Sequence, residues 1–293
     1  MTRSGFVALA GRPNVGKSTL VNAIVGEKVA IVSDRPQTTR RAIRGVYTHD
    51  DCQLALVDLP GVQRPRDALT ARMARRVQQE LEGSDLALLV LNGEQRIGPG
   101  DRYIAQVLAD SDVPVAIAIN KIDRLSRAEQ VAALAGAAEL PAGEDIFAIS
   151  ARNGDGVPAL VEHLASSIPE GPFMFSEDAV SDQPLEVVLA ELIREAVIRR
   201  TFQELPHAVE VVVEEIDHQR DDLVRVRALI WVENESQKGI VVGARGRMIK
   251  AVGSAARREL QRELGCQVYL DLSVRVRRDW RGDEQLLDRL GIT

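Results

Sequence analysis

The chain of 293 residues contains only two cysteines, Cys52 and Cys266, and aromatic residues make up just 3% of it. Two cysteines so far apart provide neither a disulfide framework nor a CxxC metal motif, which indicates a reducing compartment. The four histidines lack the HxxxH and HExxH spacings of zinc sites. We therefore predict no transition metal held by protein side chains.

Long apolar runs are also absent, since no stretch approaches the roughly 18 to 20 residues that span a bilayer. The apolar start, residues 1–10, is too short for a signal peptide and leads directly into a polar loop. We expect a cytoplasmic protein without a transmembrane segment. Any association with the inner face of the cell membrane is expected to be peripheral.

The charge of the chain is unevenly distributed. The formal net charge is −6, yet residues 238–281 contain eleven basic and four acidic residues, a local net charge of +7. A basic surface on an acidic protein is compatible with binding to phosphates. A solvated helix face would explain the same pattern.

The first half of the sequence alternates short apolar runs with helical patterns, which is typical of a doubly wound α/β sheet. Because most runs are apolar on both faces, we predict central parallel strands covered by helices on both sides. The predicted strands are 6–10, 53–57, 86–91, 113–119 and 146–149, and helices are expected to begin near residues 17, 70, 101, 127 and 157.

A domain boundary is predicted within residues 168–183, where two prolines and a glycine break the periodicity. The proposed division is a first domain at 1–170, a linker at 171–183 and an α+β domain at 184–293. In the second domain we predict a helix at 185–201, strands at 208–216 and 223–232, two helices around residues 243–246, and a strand at 267–276.

Residues 11–18 read GRPNVGKS and match the phosphate-binding pattern G-x-x-x-x-G-K-S between a predicted strand and a predicted helix. In such a loop backbone N–H groups surround the phosphates, the ammonium of Lys17 reaches the β- and γ-phosphates, and the Ser18 hydroxyl binds Mg²⁺. The expected phosphate-binding residues are Gly11, Arg12, Pro13, Asn14, Val15, Gly16, Lys17, Ser18 and Thr19.

Two further segments predict guanine as the base. Residues 120–123 read NKID and follow a predicted strand, at the sheet edge where doubly wound folds bind ligands. The Asp123 carboxylate can accept hydrogen bonds from guanine N1–H and N2–H₂, a donor pair that adenine lacks. Asn120 can hold N7, the Lys121 stem can cover the ring, and the Ala151 amide can reach O6. The expected base-binding residues are Asn120, Lys121, Ile122, Asp123, Ser150, Ala151 and Arg152.

The segment DLPG at 58–61 ends the third predicted strand. Asp58 is expected to hold Mg²⁺ through water, and the Gly61 amide to touch the γ-phosphate, so that loss of this phosphate releases Gly61. In the polar segment PQTTR at 36–40 one threonine can complete the Mg²⁺ shell, and we choose Thr39 over Thr38. The expected nucleotide-binding residues here are Asp58, Leu59, Pro60, Gly61 and Val62, and the expected catalytic residues are Lys17, Thr39 and Gly61.

Val62 stands where a water-orienting glutamine often follows the DxxG glycine. A valine cannot polarise or align a water molecule, and Gln63 is offset by one position, although it could substitute. We therefore expect slow intrinsic hydrolysis of GTP to GDP and phosphate, by Mg²⁺-assisted attack of water without a side-chain general base.

These motifs resemble those of the translation-factor-related bacterial GTPases, which include the Era, TrmE and EngA families, and PNVGKS with PQTTR is most similar to the Era family. Alignment with the switch of these relatives again favours Thr39 as the metal ligand. In relatives that share the hydrophobic replacement, a K⁺ ion bound by the loop asparagine supplies positive charge. The resemblance therefore implies Asn14 as a K⁺ ligand beside the Mg²⁺ ligands Ser18, Thr39 and Asp58.

Residues 243–246 read GARG between two predicted helices, as in a type II KH domain, where the glycines let the backbone approach nucleic-acid phosphates. The scarcity of aromatic residues argues against a platform of stacked rings, whereas an aliphatic groove needs none. Val241 and Val252 are either groove or core residues, Arg275, Arg277 and Arg278 either RNA contacts or a strand edge, and Trp231 and Trp280 are taken as packing residues. The expected RNA-binding residues are Lys238, Ile240, Gly243, Ala244, Arg245, Gly246, Arg247, Met248, Ile249 and Lys250.

The flanks of this loop also resemble the C-terminal domain of the Era family, so the resemblance covers nearly the whole chain. It implies a GTPase that binds the single-stranded 3′ region of 16S rRNA and acts in assembly of the 30S subunit. EngA is disfavoured because only one P-loop and one NKID occur, and TrmE because its C-terminal cysteine motif is missing. Two alternatives remain: a GTPase whose second domain binds protein or membrane, and a P-loop kinase.

Overall fold

The structure is a computed structural model that describes residues 1–33, 38–61, 67–143, 145–201, 205–220, 222–290 and 292. Residues 1–182, apart from 67–69, form one compact unit, and residues 183–292 together with 67–69 form a second. The domain limits given above stay predictions.

The first unit is built on a sheet with the strand order β2-β3-β1-β4-β5-β6. Only β2 is antiparallel to its neighbour, whereas the other pairs are parallel. Helices on both faces bury the sheet, as expected for a doubly wound α/β fold. The strands are β1 (Arg3–Ala10), β2 (Ile43–His49), β3 (Cys52–Asp58), β4 (Leu86–Asn92), β5 (Val115–Asn120) and β6 (Asp145–Ala148). The helices are α1 (Lys17–Val25), α2 (Ala68–Glu82), α3 (Pro99–Ala109), α4 (Arg127–Ala138) and α5 (Val157–Ser167).

The edge strand β2 is absent from the prediction. Its sequence combines Gly45 with polar residues, which hides the apolar alternation of a strand. Gly45 is needed because a Cβ there would lie 2.8 to 3.0 Å from side chains of Val21, Val25 and Val29. Close packing between α1 and β2 therefore selects the glycine that weakens the strand signal.

Residues 170–182 are fastened to the first unit by hydrogen bonds. The buried Gln53 side chain accepts from the amides of Met174 (2.8 Å) and Phe175 (2.9 Å) and donates to the Phe175 carbonyl (3.0 Å). Val46 N–H donates to the Val180 carbonyl on the outer side of β2. Arg44 forms an ion pair with Asp182 at 3.0 Å. The segment predicted as a linker thus has ordered partners over most of its length.

The second unit has three strands in the order β7-β8-β9, with β8 antiparallel to β7 and parallel to β9. Its apolar core lies between this sheet and the helices α6 and α9. This arrangement of helices and strands is the one expected for a type II KH domain. The short α7 and α10 were not predicted. The elements are α6 (Leu185–Ile198), α7 (Leu205–Ala208), β7 (Glu210–Arg220), β8 (Leu223–Val232), α8 (Glu235–Val242), α9 (Arg247–Leu264), β9 (Gln267–Val276) and α10 (Glu284–Arg289).

Within the described ranges, none of the helices combines the length and apolar character needed to cross a bilayer. Peripheral membrane association stays a prediction.

Candidate nucleotide site and nucleic-acid interface

The phosphate-binding loop joins β1 to α1, where the pattern predicts it. Gly16 has a φ of 102°, and a Cβ there would lie 2.2 Å from Asn120 Nδ2, so only glycine fits. The Lys17 ammonium is buried and donates hydrogen bonds to the carbonyl oxygens of Gly11 (3.1 Å) and Arg12 (3.2 Å). Burial lowers the pKa of Lys17, an effect that the Asp58 carboxylate opposes. The loop therefore folds around the cation that the sequence assigns to phosphate.

Ser18, Thr39 and Asp58 meet at the start of α1. Ser18 Oγ donates to Asp58 Oδ2 at 2.6 Å, Thr39 Oγ1 donates to the same oxygen at 3.2 Å, and the two hydroxyl oxygens are 3.2 Å apart. Burial raises the pKa of Asp58, and Lys17 and the two hydroxyl donors oppose this rise.

The other carboxylate oxygen, Asp58 Oδ1, is buried without a hydrogen-bond partner among the described residues. Two hydroxyls and a carboxylate are ligands that suit Mg²⁺, and a buried oxygen without a partner suits a cation. The cluster therefore fits the metal that the sequence predicts. Thr38 is buried like Thr39, and the choice of Thr39 stays a prediction.

Asn120 joins three loops at the end of β5. Its Nδ2 donates to the Val15 carbonyl at 2.9 Å, and its Oδ1 accepts from the Ala151 amide at 2.9 Å and from the Lys121 amide at 2.8 Å. The Ala151 amide, which the sequence assigns to guanine O6, thus contacts Asn120 here. Asn120 therefore fixes the position of the phosphate loop relative to the NKID segment and to residues 150–152.

Asp123 lies at the surface, where its Oδ1 accepts a 2.7 Å hydrogen bond from Ser150 Oγ. Lys121 Nζ donates to the Asn14 carbonyl at 3.0 Å and lies 3.4 Å from Glu94 Oε2. Hydrogen bonds from Arg124 and Lys121 hold the pKa of Glu94 below its usual value. Glu94 was not predicted from the sequence, although it lies two residues after the end of β4, at the same sheet edge as the NKID segment.

A cleft of about 320 Å³ is lined by the phosphate loop, by Ser18 and Thr39 of the Mg²⁺ cluster and by Lys121 of the NKID segment. A Cβ on Gly61 would lie 2.7 Å from Pro13 Cγ, so the DLPG backbone closely approaches the loop. Asp123 and residues 150–152 are not among the residues that line this cleft. Hydrogen bonds from Ser150 to Asp123 and from the Ala151 amide to Asn120 join them to the phosphate loop, which Asn120 contacts at Val15. The predicted residues lining the cleft are Pro13, Asn14, Gly16, Lys17, Ser18, Thr19, Thr39, Gly61 and Lys121.

The Arg12 side chain lies against α3, since its Nε donates to Asp101 Oδ1 at 2.8 Å and its Nη2 to Gln95 Oε1 at 2.8 Å. This contact was not predicted from the local motif. Val62, Gln63 and the first two residues of PQTTR, Pro36 and Gln37, lie outside the described residues.

The GARG loop joins α8 to α9 in the second unit. Gly243, Arg245 and Gly246 all have positive φ, at 72°, 54° and 73°. A Cβ on Gly243 would lie 2.7 Å from Met248 Cβ. The Ala244 and Arg245 side chains are exposed, so the loop presents backbone and a cation to the solvent.

Residues beside the loop separate into surface and core. Ile240 is 52% exposed, and Met248 and Ile249 are half-buried. Val241 and Val252 are fully buried, so they are core residues and not part of a groove. The remaining cations, Lys238, Arg247 and Lys250, are half-buried or exposed around the loop. Trp280 is buried and donates to the Ala208 carbonyl, which confirms its packing role.

Comparison with characterised proteins identifies the family. GTPase Era of Mycobacterium tuberculosis (strain ATCC 25618 / H37Rv) is 45% identical over 294 residues, which cover 98% of this chain and 98% of that protein. The chain belongs to the Era family of GTPases. GTPase Era of Carboxydothermus hydrogenoformans is 44% identical and covers 99% of this chain and 98% of its own length. Among the family models, one described as a 50S ribosome-binding GTPase matches residues 6–121, and one described as a KH domain matches residues 204–281.

Two solved Era structures superpose over the full length of both chains, each with a TM-score of 0.96 and 33% identity. One is Era in complex with MgGDPNP and nucleotides 1506–1542 of 16S ribosomal RNA. The other is a variant of Aquifex aeolicus Era bound to GDP and AlF₄⁻. The predicted family and fold class are confirmed, and membership of a GTPase family sets aside the P-loop kinase alternative.

Proposed function

We propose that this Era-family chain binds GTP with Mg²⁺, hydrolyses it to GDP and phosphate, and binds the 3′ region of 16S rRNA through its second unit during assembly of the 30S subunit. The observation that carries the proposal is the meeting of Ser18, Thr39 and Asp58 beside the buried Lys17 ammonium. A solved Era structure that contains both MgGDPNP and nucleotides 1506–1542 of 16S ribosomal RNA supports it.

Ser18, Thr39 and Asp58 are the residues that would hold Mg²⁺, which neutralises phosphate charge when bound. Lys17 and the loop amides stabilise negative charge that develops on the γ-phosphate. The Gly61 amide contacts the γ-phosphate and leaves it after hydrolysis, which makes the DLPG segment the sensor of the nucleotide state.

Guanine selectivity is assigned to Asp123, whose carboxylate is held by Ser150 Oγ. Replacement by asparagine exchanges an acceptor for a donor at the N2 position of guanine. Xanthine has a carbonyl at C2 in place of the amino group, so Asp123→Asn is expected to lose affinity for GTP and gain affinity for xanthosine triphosphate.

Phosphate release by the full chain tests the enzymatic part. With Mg²⁺ and no acceptor, GTP but not ATP should give free phosphate, and Asp123→Asn should hydrolyse xanthosine triphosphate in preference to GTP. Equal turnover of GTP and ATP by the unmodified chain would contradict the assignment of the base site.

K⁺ is proposed as a second cation, with Asn14 as its ligand. Asn14 is exposed at the mouth of the cleft with a φ of 65°, and its carbonyl accepts from Lys121. A monovalent cation there would add positive charge beside the phosphates, as expected where Val62 cannot orient water.

RNA binding is assigned to the GARG loop and its cations, because the loop combines close-approach glycines with exposed positive charge. Binding of the 16S rRNA segment 1506–1542 should weaken with salt and should fall on replacement of Arg245 and Lys250 by alanine. Absence of RNA binding at moderate salt would favour the alternative, in which the second unit binds a protein or membrane partner.

A further inference from the structure

The helices α6, α8 and α9 of the second unit pack on one face of its sheet, and the opposite face carries arginine and aromatic side chains. Along β9 the residues Val268, Leu270, Leu272 and Val274 pack toward the core. Tyr269, Asp271, Ser273 and Arg275 alternate with them and therefore point outward. On β8 their register partners are Arg225, Arg227, Leu229 and Trp231.

Two of these outward residues are aromatic, and each has an arginine over its ring. The Arg225 guanidinium lies 5.7 Å from the centroid of the Tyr269 ring. The Arg277 guanidinium lies 5.9 Å from the centroid of the Trp231 ring. Tyr269 is 58% exposed, which is unusual for a large aromatic side chain that serves only packing.

The positive charge on this face is only partly neutralised. Arg225 lies 3.5 Å from Asp271, and Arg227 lies 2.8 Å from Glu215. Among the described residues, no carboxylate lies within ion-pair distance of Arg275 or Arg277, and both are exposed. The solvent-exposed charge at the end where Trp231 lies is therefore positive, because Glu210, the register partner of Trp231 on β7, is buried.

We propose that this outer sheet face, formed by Arg225, Arg227, Trp231, Tyr269, Arg275 and Arg277, is a second binding surface for unpaired RNA. Bases stack on the Tyr269 and Trp231 rings or on the guanidinium planes above them. Arg275 and Arg277, which have no carboxylate partner among the described residues, contact phosphates. The proposal rests on RNA binding by the second unit. It reverses the expectation drawn from the low aromatic content, because the few aromatic residues concentrate on one face.

The sheet order gives RNA a short path to this face. β9 is an edge strand, and both α8 and α9, which flank the GARG loop, contact it. An RNA strand that leaves the loop therefore needs to cross one strand edge to reach Tyr269 and Arg275. The loop holds about four nucleotides in a KH domain, so a longer RNA has bases available for the outer sheet face.

The test compares two RNA probes on the full-length chain. One is a single-stranded RNA of about four nucleotides, which occupies the loop alone. The other is the 16S rRNA segment 1506–1542. Tyr269→Ala should weaken binding of the long RNA about tenfold and leave the short RNA unchanged, since stacking is lost. The double variant Arg275→Gln with Arg277→Gln should do the same and lower the salt slope by about 1.4.

The controls separate this surface from the proposed function. Arg127→Gln removes one exposed positive charge from the first unit and should change neither affinity. The double variant Arg245→Ala with Lys250→Ala should bind both RNAs more weakly. If the unmodified chain binds neither RNA, the proposed RNA-binding function is wrong. If the sheet variants bind the long RNA with unchanged affinity, only this inference is overturned. A protein partner that requires Tyr269 while RNA affinity stays unchanged overturns it as well.

Tryptophan fluorescence gives a local readout. Trp231 is half-buried on the outer sheet face, whereas Trp280 is fully buried. The long RNA should quench emission, and Trp231→Phe, which keeps an aromatic ring, should abolish the quenching without unfolding the unit. Quenching that persists in Trp231→Phe contradicts stacking at this position.

Discussion

The Ser18 hydroxyl donates a 2.6 Å hydrogen bond to the carboxylate of Asp58, 40 residues further along the chain. The bond joins the first turn of α1 to the end of β3 inside the protein, beside the Lys17 ammonium. A hydroxyl therefore contacts a buried carboxylate whose second oxygen has no partner among the described residues. This pair sets the position at which the proposed Mg²⁺ ligands converge.

The first prediction concerns the response of stability to Mg²⁺. With GDPNP present, Mg²⁺ should raise the melting temperature of the unmodified chain, because a ligand at 100 times its Kd adds about 2.7 kcal/mol. Asp58→Asn should lose most of this increase, since it removes the anionic ligand. The measurement is thermal unfolding at fixed GDPNP with increasing Mg²⁺.

Asp101→Asn is the matched control, because Asp101 is also a buried aspartate of the first unit but contacts Arg12 and the start of α3. It should keep the Mg²⁺ response. If both variants respond to Mg²⁺ like the unmodified chain, Asp58 is not a metal ligand.

The second prediction concerns Asn120, whose side chain makes three hydrogen bonds to three loops. Asn120→Ala should lower the free energy of unfolding by about 2–4 kcal/mol, because it leaves buried donors and an acceptor without partners. Asn120→Asp should cost at least as much, because its carboxylate still accepts from the Ala151 and Lys121 amides but places a buried, charged oxygen against the Val15 carbonyl. Urea unfolding of the full chain measures both, and an unchanged free energy of unfolding in Asn120→Ala would show that the three bonds contribute little.

The third prediction concerns Gln53, which holds residues 174 and 175. Gln53→Leu keeps the size of the side chain but removes all four of its hydrogen bonds, to Met174, Phe175 and Thr48. The Met174 and Phe175 amides should then exchange hydrogen about ten to a hundred times faster, as expected for a loss of about 1.4–2.8 kcal/mol in local stability. Mass spectrometry of deuterium uptake over this segment reads the effect.

Gln79→Leu provides the control, since Gln79 is exposed on α2 and makes no hydrogen bond with this segment among the described residues. Protection of residues 174–175 that survives Gln53→Leu would mean that the neighbouring bonds of Ser4 and Val46 are sufficient to hold the segment.

Much of the fold was predictable because its signals are local. Apolar runs gave β1, β3, β4 and β5, and the glycine-lysine-serine motif placed α1 at Lys17. β2 was missed because its glycine, Gly45, is required by close packing against α1, and this contact between distant segments is visible only in the folded structure. Val241 and Val252 carry no local sign of whether they face the core or a groove.

The candidate site shows the same division. The roles of motif residues such as Lys17 and Asp58 can be predicted from residue type and spacing. Contacts between distant segments cannot be predicted in this way, which is why the ion pair of Glu94 with Lys121 and the hydrogen bond of Arg12 to Asp101 were missed. Both depend on how the ends of neighbouring strands and helices come together.

The last prediction concerns K⁺ and Asn14. GTP hydrolysis with Mg²⁺ should be about tenfold faster in K⁺ than in Na⁺, which corresponds to about 1.4 kcal/mol of transition-state stabilisation by one added charge. Asn14 has a φ of 65°, so Asn14→Ala would combine loss of the side chain with backbone strain. Asn14→Gly removes the side chain and tolerates this φ, which makes it the cleaner variant. It should hydrolyse GTP at the same rate in both salts, close to the Na⁺ rate of the unmodified chain, while binding GDP with unchanged affinity. If K⁺ still accelerates hydrolysis by Asn14→Gly, residues other than Asn14 bind the ion. If the unmodified chain hydrolyses GTP at equal rates in both salts, K⁺ takes no part in the mechanism.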